Sequence, residues 1–334
     1  MSDYLPLVSV TIPCYRHGVL VQKAIDSVIN QTYQNIEILI SEDPSDNEST
    51  GFLKKYKNDH RIKYLKNSSR VGMVKNYQIL FNRIMGDLAL NLDGDDYFIN
   101  RNFFERCVDE FLKDKNLVLS VSGIKINKDG IEYDIYPNVS EEVVKSSGKK
   151  YFLDSILDKI RTNHHFAMMY KVSMAKAIGF YTEDIASTDL ESFRRLALYG
   201  NVVQINQMSG VWNISDSSYS RGLSSENYFS NIKFIISPLN LALSLKVINK
   251  IEYKNLLRTA IVKYNVQFVM YAASQKSYFS LLYSYYKLLK DNDLLILFPS
   301  QGMWLKATPH ILLRIIFQKN MYDKIVVLYL KYLK

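Results

Sequence analysis

The chain is poor in the residues that build small frameworks without a core. It has two cysteines, Cys14 and Cys107, in 334 residues. They stand far apart and neither has a CxxC partner. That argues against a structural zinc site or a disulfide framework, and for two ordinary thiols in a reducing compartment. Only 13 glycines and 7 prolines are present, too few for collagen-like tracts or long linkers. No internal period and no low-complexity segment is visible. Long apolar runs are missing as well. No stretch reaches the roughly 18 uninterrupted apolar residues that a spanning helix needs. The N-terminal MSDYLPLVSV carries neither a basic start nor a long apolar run, unlike a secretory signal. The expectation is a chain that stays in the cytoplasm.

What is present is enough to fold. Hydrophobic residues make up 48% of the chain, which excludes wholesale disorder. The length fits one α/β domain plus a smaller unit. The formal net charge of +9 is unevenly placed. Residues 1–224 hold 27 Lys/Arg and 28 Asp/Glu, a net of −1. Residues 225–334 hold 15 Lys/Arg and 5 Asp/Glu, a net of +10. Such asymmetry points to an anionic partner for the last third, a membrane surface or nucleic acid.

Strand and helix signals alternate through the first half. Residues 7–12 (LVSVTI) are short, β-branched and apolar, and Pro13 ends the run. Helical spacing of Val21, Ile25 and Val28 predicts a helix over 18–31. Further strands are expected at 36–40, 61–65, 87–92 and 117–126, with helices at 48–58, 71–85 and 102–112. The expected architecture is an α/β fold with a mostly parallel sheet covered on both faces. In such sheets ligands bind beyond the carboxyl ends of the strands. Three polar clusters sit there: Pro13–Tyr15, Ser41–Asn47 and Asp93–Asp96. Beyond these, 166–170 reads as a strand, 172–178 and 188–199 as helices, and 201–205 and 208–214 as short strands. Past 225 the strands fade and apolar, Lys-bearing helices take over. A boundary within 215–225 divides the chain into 1–220 and a helical, basic 221–334.

The cluster at 92–96 (LDGDD) carries the chemistry. Asp93, Asp95 and Asp96 are crowded at a strand end, where they repel one another unless a cation sits among them. Hard oxygen ligands favour Mg²⁺ or Mn²⁺, with remaining positions left for substrate oxygens such as phosphates. The bland alternative is a solvated turn in which Asp93 caps the next helix.

Five segments together carry a resemblance: VSVTIPCYR at 8–16, AIDSVINQTYQNIEILISEDPSDN at 24–47, SRVGMVKNYQIL at 69–80, LDGDD, and TDLESFRRLALYG at 188–200. In order and spacing the set, across roughly 7–215, resembles the family 2 glycosyltransferases of the GT-A fold. The resemblance implies an inverting transferase that moves a sugar from a nucleotide-diphosphate donor to a glycan, lipid-linked or protein-linked acceptor. Pro13 and Tyr15 would border the base, and Asp43, next to Glu42, would accept a hydrogen bond from a uracil-type imide. Lys75 would lie near the nucleotide. Asp93 and Gly94 would line the ribose side, Asp95 would ligate the metal, and Asp96 is the second candidate ligand. Asp189 would be the general base, taking the acceptor's proton opposite the leaving group. Glu191 is the other acid of that helix, but i and i+2 do not share a helix face, so only one of the two serves.

Plainer roles stay open. Asp43 can brace a turn, Lys75 can be a surface lysine, and Asp189 can complement the helix dipole. The chain also departs from the pattern. Glu42 stands where Asp is frequent, Pro44 where Gly is, Thr188 where Glu is usual, and Ser215 where many members carry His. His164 and His165 fall where the acceptor commonly docks. They lack HExxH or Cys/His spacing, which argues against zinc. The last helix, MYDKIVVLYLKYLK, can lie peripherally on an anionic membrane, pack on the catalytic domain, or meet a second subunit. No nucleic-acid-binding signature accompanies the charge. Two competing functions remain. One is a metal-dependent nucleotidyltransferase, weakened by the single arginine in PCYRHG. The other is a degenerate partner subunit, weakened by the retention of Asp43, Asp93, Asp95 and Asp189.

Overall fold

The run VSVTIPC is buried along its whole length and forms strand β1 (Val8–Cys14). Helix α1 (Leu20–Ile29) follows and buries Val21, Ala24, Ile25 and Val28, the stripe expected from the sequence. Next come β2 (Ile36–Glu42), the one-turn α2 (Thr50–Leu53), β3 (Ile62–Lys66), α3 (Met73–Phe81), β4 (Leu88–Asn91) and β5 (Tyr97–Phe98). Then follow α4 (Phe103–Lys113), β6 (Leu117–Lys128), β7 (Ile131–Ile135), β8 (Val143–Ser147), α5 (Gly148–Ile156) and β9 (Met168–Lys171). The remaining elements are α6 (Val172–Ile178), α7 (Thr188–Ala197), β10 (Asn201–Ile214), α8 (Ser225–Ser230), α9 (Lys233–Ser244) and α10 (Lys250–Ala273). This computed structural model describes residues 4–137, 139–160, 164–214 and 224–273. Ser215 and the helix expected at 321–334 lie outside them.

One sheet runs through the molecule in the order β3-β2-β1-β4-β9-β6-β10-β5, with β7 added to β6 and β8 to β10. Strands β3, β2, β1 and β4 are parallel, as the βαβ alternation demands. From β9 onward the sheet is mixed. β9 runs antiparallel to both β4 and β6, whereas β10 is parallel to β6. The expectation of a mostly parallel sheet thus fits β3, β2, β1 and β4 and the β6–β10 pair, with antiparallel pairings between and around them. The irregular stretch after 127 hides β7, β8 and α5, which come from short, half-exposed segments with little periodicity. The two short strands expected at 201–214 are one strand. Register shifts near Ile205, Met208 and Gly210 interrupt its alternation. The helix expected at 48–58 is one turn of α-helix and one 3₁₀ turn (Lys54–Tyr56).

The sheet buries both faces. On one, Val8, Val10 and Ile12 pack with Ile25 and Val28 of α1 and Phe103 and Phe104 of α4. On the other, Tyr77 and Leu80 of α3 join Phe193 and Leu196 of α7. Tyr228, Ile235, Leu239, Ile261 and Phe268 of α8 to α10 enter that same cluster, with α9 packed against α7 and α10 against α9. Between the layers, Ser9 and Thr11 of β1 are fully buried but paired, Ser9 donating to Glu37 at 2.6 Å and Thr11 to Asn91. Among the described residues no helix is long and apolar enough to cross a membrane. Both cysteines are buried and free.

Candidate active site

The carboxyl ends of β1, β2 and β4 lie side by side, as their parallel pairing requires. β1 delivers Tyr15 and His17, β2 delivers Asp43, and β4 delivers Asp93, Asp95 and Asp96. The start of α7 brings Asp189, and the segment ahead of β9 brings His164 and His165.

His165 is the hub. Its ring is buried, with Nε2 3.4 Å from Asp93 Oδ2 and Nδ1 3.4 Å from Asp189 Oδ2. Asp93 and the α7 acid Asp189 are thus joined through one imidazole. Burial opposes charge on that ring, but Asp93 and Asp189 override it and raise its pKa well above the usual value. Burial also opposes charge on Asp93. The neighbouring His165 outweighs it and holds this carboxyl below its ordinary range. Asp93 further accepts a hydrogen bond from Tyr77 at 3.1 Å. Tyr77 stacks on Tyr181, with ring centroids 5.3 Å apart, and Asn91 Nδ2 donates to the Tyr181 hydroxyl at 2.5 Å. Ser192 of α7 accepts from the Tyr181 backbone N–H at 3.0 Å, which ties the Asp189 helix to β4.

Asp96 is 1% exposed, so the turn is not simply solvated. One of its oxygens accepts from the Asn213 backbone at 2.8 Å; the other, Oδ2, is buried without a partner. Burial, then the charges of Asp95 and Asp93, push its pKa well up. Asp95 is raised too, first by burial and then by Asp93, against His17, whose Nε2 lies 3.8 Å away. Gly94 is required for this packing, since a Cβ there would collide with the His17 ring and crowd Cys14 Sγ at 3.2 Å. His164 is partly buried against Trp212 and Phe166, each with its centroid 4.6 Å away. Burial, then the neighbouring His165, lowers its pKa well below the ordinary value.

A divalent cation fits this donor set. Asp96, His164 and His165 offer ligand atoms within 4.8 Å of one another. Asp96 Oδ2, His164 Nδ1 and His165 Nε2 are all buried without a hydrogen-bond partner. Crowded, unpaired acceptors are what a bound cation would satisfy.

The nucleotide-side residues divide differently from expectation. Pro13 is buried in β1, paired with Ser41. Tyr15 is partly exposed beneath the Arg70 guanidinium, 4.3 Å from its ring centroid. Lys75 is exposed on α3. Asp43 braces its turn: it accepts from Asn67 at 2.9 Å and from the backbone N–H groups of Val71 and Gly72 at 3.1 and 2.9 Å. Gly72 reaches that position with a φ of 87°, a left-handed value that glycine tolerates. Glu42 is corrected from a nucleotide contact to a fold residue. It is fully buried, and its oxygens accept from the Ser49 backbone, Thr50 and Tyr64. Glu191 is corrected likewise. It is fully buried in an ion pair with Arg195, at 2.7 Å, and accepts from Ser237 at 2.6 Å. Asp189 keeps its side chain 23% exposed. Sequence reasoning missed His17, Tyr77, Tyr181, Trp212 and Asn213, because their places depend on contacts between distant strands rather than on any local spacing.

The sequence profile of Glycosyl transferase family 2 matches residues 9–179. Chondroitin synthase of Pasteurella multocida is 28% identical over 207 residues, covering 61% of this chain and 20% of the relative. A GalNAc(5)-diNAcBac-PP-undecaprenol beta-1,3-glucosyltransferase of Campylobacter jejuni is 28% identical over 183 residues, covering 48% of this chain and 56% of the relative. The chain thus spans about a fifth of the synthase and just over half of the glucosyltransferase. Among solved structures, S. aureus TarS 1–349 in complex with UDP-GlcNAc superposes with a TM-score of 0.55 at 14% identity. That match covers 77% of this chain and 80% of TarS 1–349. At that identity the likeness is one of fold.

Proposed function

The chain belongs to glycosyl transferase family 2, with its GT-A fold, and on that premise we propose that it is an inverting transferase using a UDP-sugar, with Asp189 as general base. The observation that carries this reading is the approach of Asp93, at the strand end that also bears Asp95 and Asp96, and of Asp189 to the single imidazole of His165. An acceptor hydroxyl seated beside Asp189 gives its proton to that carboxylate as its oxygen bonds to the anomeric carbon. The bond from that carbon to the diphosphate oxygen breaks, and the nucleoside diphosphate leaves on the Asp93–Asp96 side. In a single displacement, the course that the family resemblance implies, the anomeric centre is inverted. A Mn²⁺ or Mg²⁺ ion held by Asp95 and Asp96 would supply Lewis-acid stabilisation of the leaving diphosphate. Tyr15 and Arg70 offer a flat, cationic edge for the base.

The donor assignment draws on TarS, whose structure holds UDP-GlcNAc. The acceptor assignment, a glycan or lipid-linked glycan, draws on the undecaprenol-linked substrate in the name of the Campylobacter relative. A lipid-linked acceptor would also give the basic residues of 221–334 an anionic surface to meet, placing the chain on the inner face of the plasma membrane.

Calorimetry with UDP, GDP, TDP and CMP in the presence of Mn²⁺ tests the reading. UDP is expected to bind, and EDTA or Asp95→Asn to abolish binding. Binding of none of the four with Mn²⁺ or Mg²⁺ present would remove it.

A further inference from the structure

His164 and His165 stand with Asp96 in one cluster of potential ligand atoms. His165 is 5% exposed and Asp96 1% exposed. Asp96 Oδ2 and His164 Nδ1 are sealed from solvent with no hydrogen-bond partner, and His165 Nε2, also sealed, makes no hydrogen bond and has Asp93 Oδ2 3.4 Å away. Leaving such atoms unpaired is costly. Yet Asp96, His164 and His165 crowd their ligand atoms within 4.8 Å of one another instead of spreading toward water.

The chemistry of the rings fits ligation better than acceptor contact. His165 turns Nδ1 toward Asp189 Oδ2 at 3.4 Å. A cation binding at Nε2 would displace the proton there and leave the ring neutral, with its remaining proton on Nδ1 facing Asp189. A carboxylate that orients an imidazole in this way is the usual support behind a metal-bound histidine. Asp96 is oriented by the Asn213 backbone N–H on its other oxygen. Trp212 and Phe166 wall in His164.

From these contacts we infer that His164 and His165 are metal ligands rather than acceptor-binding residues. Together with Asp96 they form a mixed nitrogen–oxygen site that selects a transition ion such as Mn²⁺ or Co²⁺ over Mg²⁺. Imidazole suits transition ions, whereas all-oxygen sets suit Mg²⁺ and Ca²⁺. Metal-to-ligand distances of about 2.0–2.2 Å put two ligands of one ion at most about 4.4 Å apart. The cluster need contract by only a few tenths of an ångström. The inference rests on the transferase reading for the ion's use, but not for its binding.

Pulsed electron paramagnetic resonance on the full chain with Mn²⁺ alone, and then with UDP added, reads the ligands directly. Nitrogen-14 couplings are expected in the wild type and are expected to vanish in the double variant His164→Gln, His165→Gln. Competition titrations should show Mn²⁺ and Co²⁺ preferred over Mg²⁺, with Mn²⁺ affinity falling about tenfold or more in the double variant. Circular dichroism in EDTA establishes that the variant is folded, and the wild-type spectrum needs no variant. Absence of Mn²⁺ binding, or a wild-type signal with oxygen ligands alone, overturns the inference. Sugar transfer assayed separately keeps the two readings apart. Transfer without nitrogen couplings sinks the ligand assignment alone, and nitrogen couplings without transfer sink the transferase reading alone.

Discussion

Asn231 grips Ser187, the residue immediately ahead of the helix that carries Asp189. The Ser187 backbone N–H donates to Asn231 Oδ1 at 2.8 Å, and Asn231 Nδ2 donates to Ser187 Oγ at 3.1 Å. Asn231 Nδ2 also donates to the Tyr264 hydroxyl of α10 at 3.1 Å. Ser187 makes no side-chain cap on α7, so Asn231 supplies what the helix start lacks. Asn231, at the end of α8, and α10 thus do more than carry charge. They fix the position of the proposed base.

Asn231→Ala should therefore act on both stability and rate. It leaves the Ser187 N–H without its partner in a partly buried place, a cost of about 1–3 kcal/mol. Urea unfolding should show that loss. Sugar transfer should slow while UDP affinity holds, because the side-chain hydrogen bonds of Asn231 among the described residues go to Ser187 and Tyr264. Unchanged transfer in a destabilised variant would mean that the position of Asp189 does not depend on this brace.

Asp43 gives a second case. Its two oxygens accept from Asn67 and from two backbone N–H groups of the 67–72 turn. Asp43→Asn replaces one acceptor oxygen by a donor facing N–H groups. The expected cost is again about 1–3 kcal/mol, with UDP affinity weakened as the turn beside Tyr15 loosens. Thermal melts and calorimetry measure the two effects. A variant that loses UDP binding with full stability would instead assign Asp43 to the base alone.

Acid sensitivity has an identifiable contributor away from the cleft. Glu37 is buried on β2, which by itself would raise its pKa. Ser9, Lys63 and the Met85 backbone N–H, at 2.6, 2.9 and 2.7 Å, outweigh burial and hold it below its ordinary 4.5. A carboxyl depressed in the folded state binds its proton more readily when unfolded. Its stabilisation is thus complete above about pH 4.5 and drains away as pH falls through the lower folded value. Glu37→Gln should flatten the fall of stability below pH 4.5 in urea titrations. An equally steep fall in the variant would place the acid-sensitive group elsewhere.

Much of this was legible in the chain. The β-branched run at 8–12 and the helical stripe of Val21, Ile25 and Val28 are local patterns. They give the first βαβ units directly, and with them the strand ends where LDGDD and SEDPSDN meet. Other features are not local. β9 is read as a strand from 166–170, but nothing in those residues says that it runs antiparallel between β4 and β6. Glu42 and Glu191 look like cleft acids in the sequence. Their roles are set by Tyr64 and Ser237, residues 22 and 46 positions away. His165 sits between Asp93 and Asp189 only because three separate segments converge.

The two acids of α7 offer the sharpest contrast, because the helix turns them to different places. Asp189 is partly exposed beside His165, while Glu191 is fully buried against Arg195 and Ser237. Asp189→Asn keeps the shape and removes the proton acceptor. Turnover should fall on the order of 10²–10⁴-fold, with UDP affinity and melting temperature near wild type. Glu191→Ala strands a buried guanidinium, and breaking such a pair costs about 3–5 kcal/mol. Its signature should be a large loss of stability. The fraction that folds should retain turnover within a few-fold, since Glu191 faces no substrate. Parallel urea unfolding and initial-rate measurements on the two variants decide the matter. If Glu191→Ala were stable and inactive while Asp189→Asn turned over normally, the base would be the other acid and the assignment of the cleft would have to be redrawn.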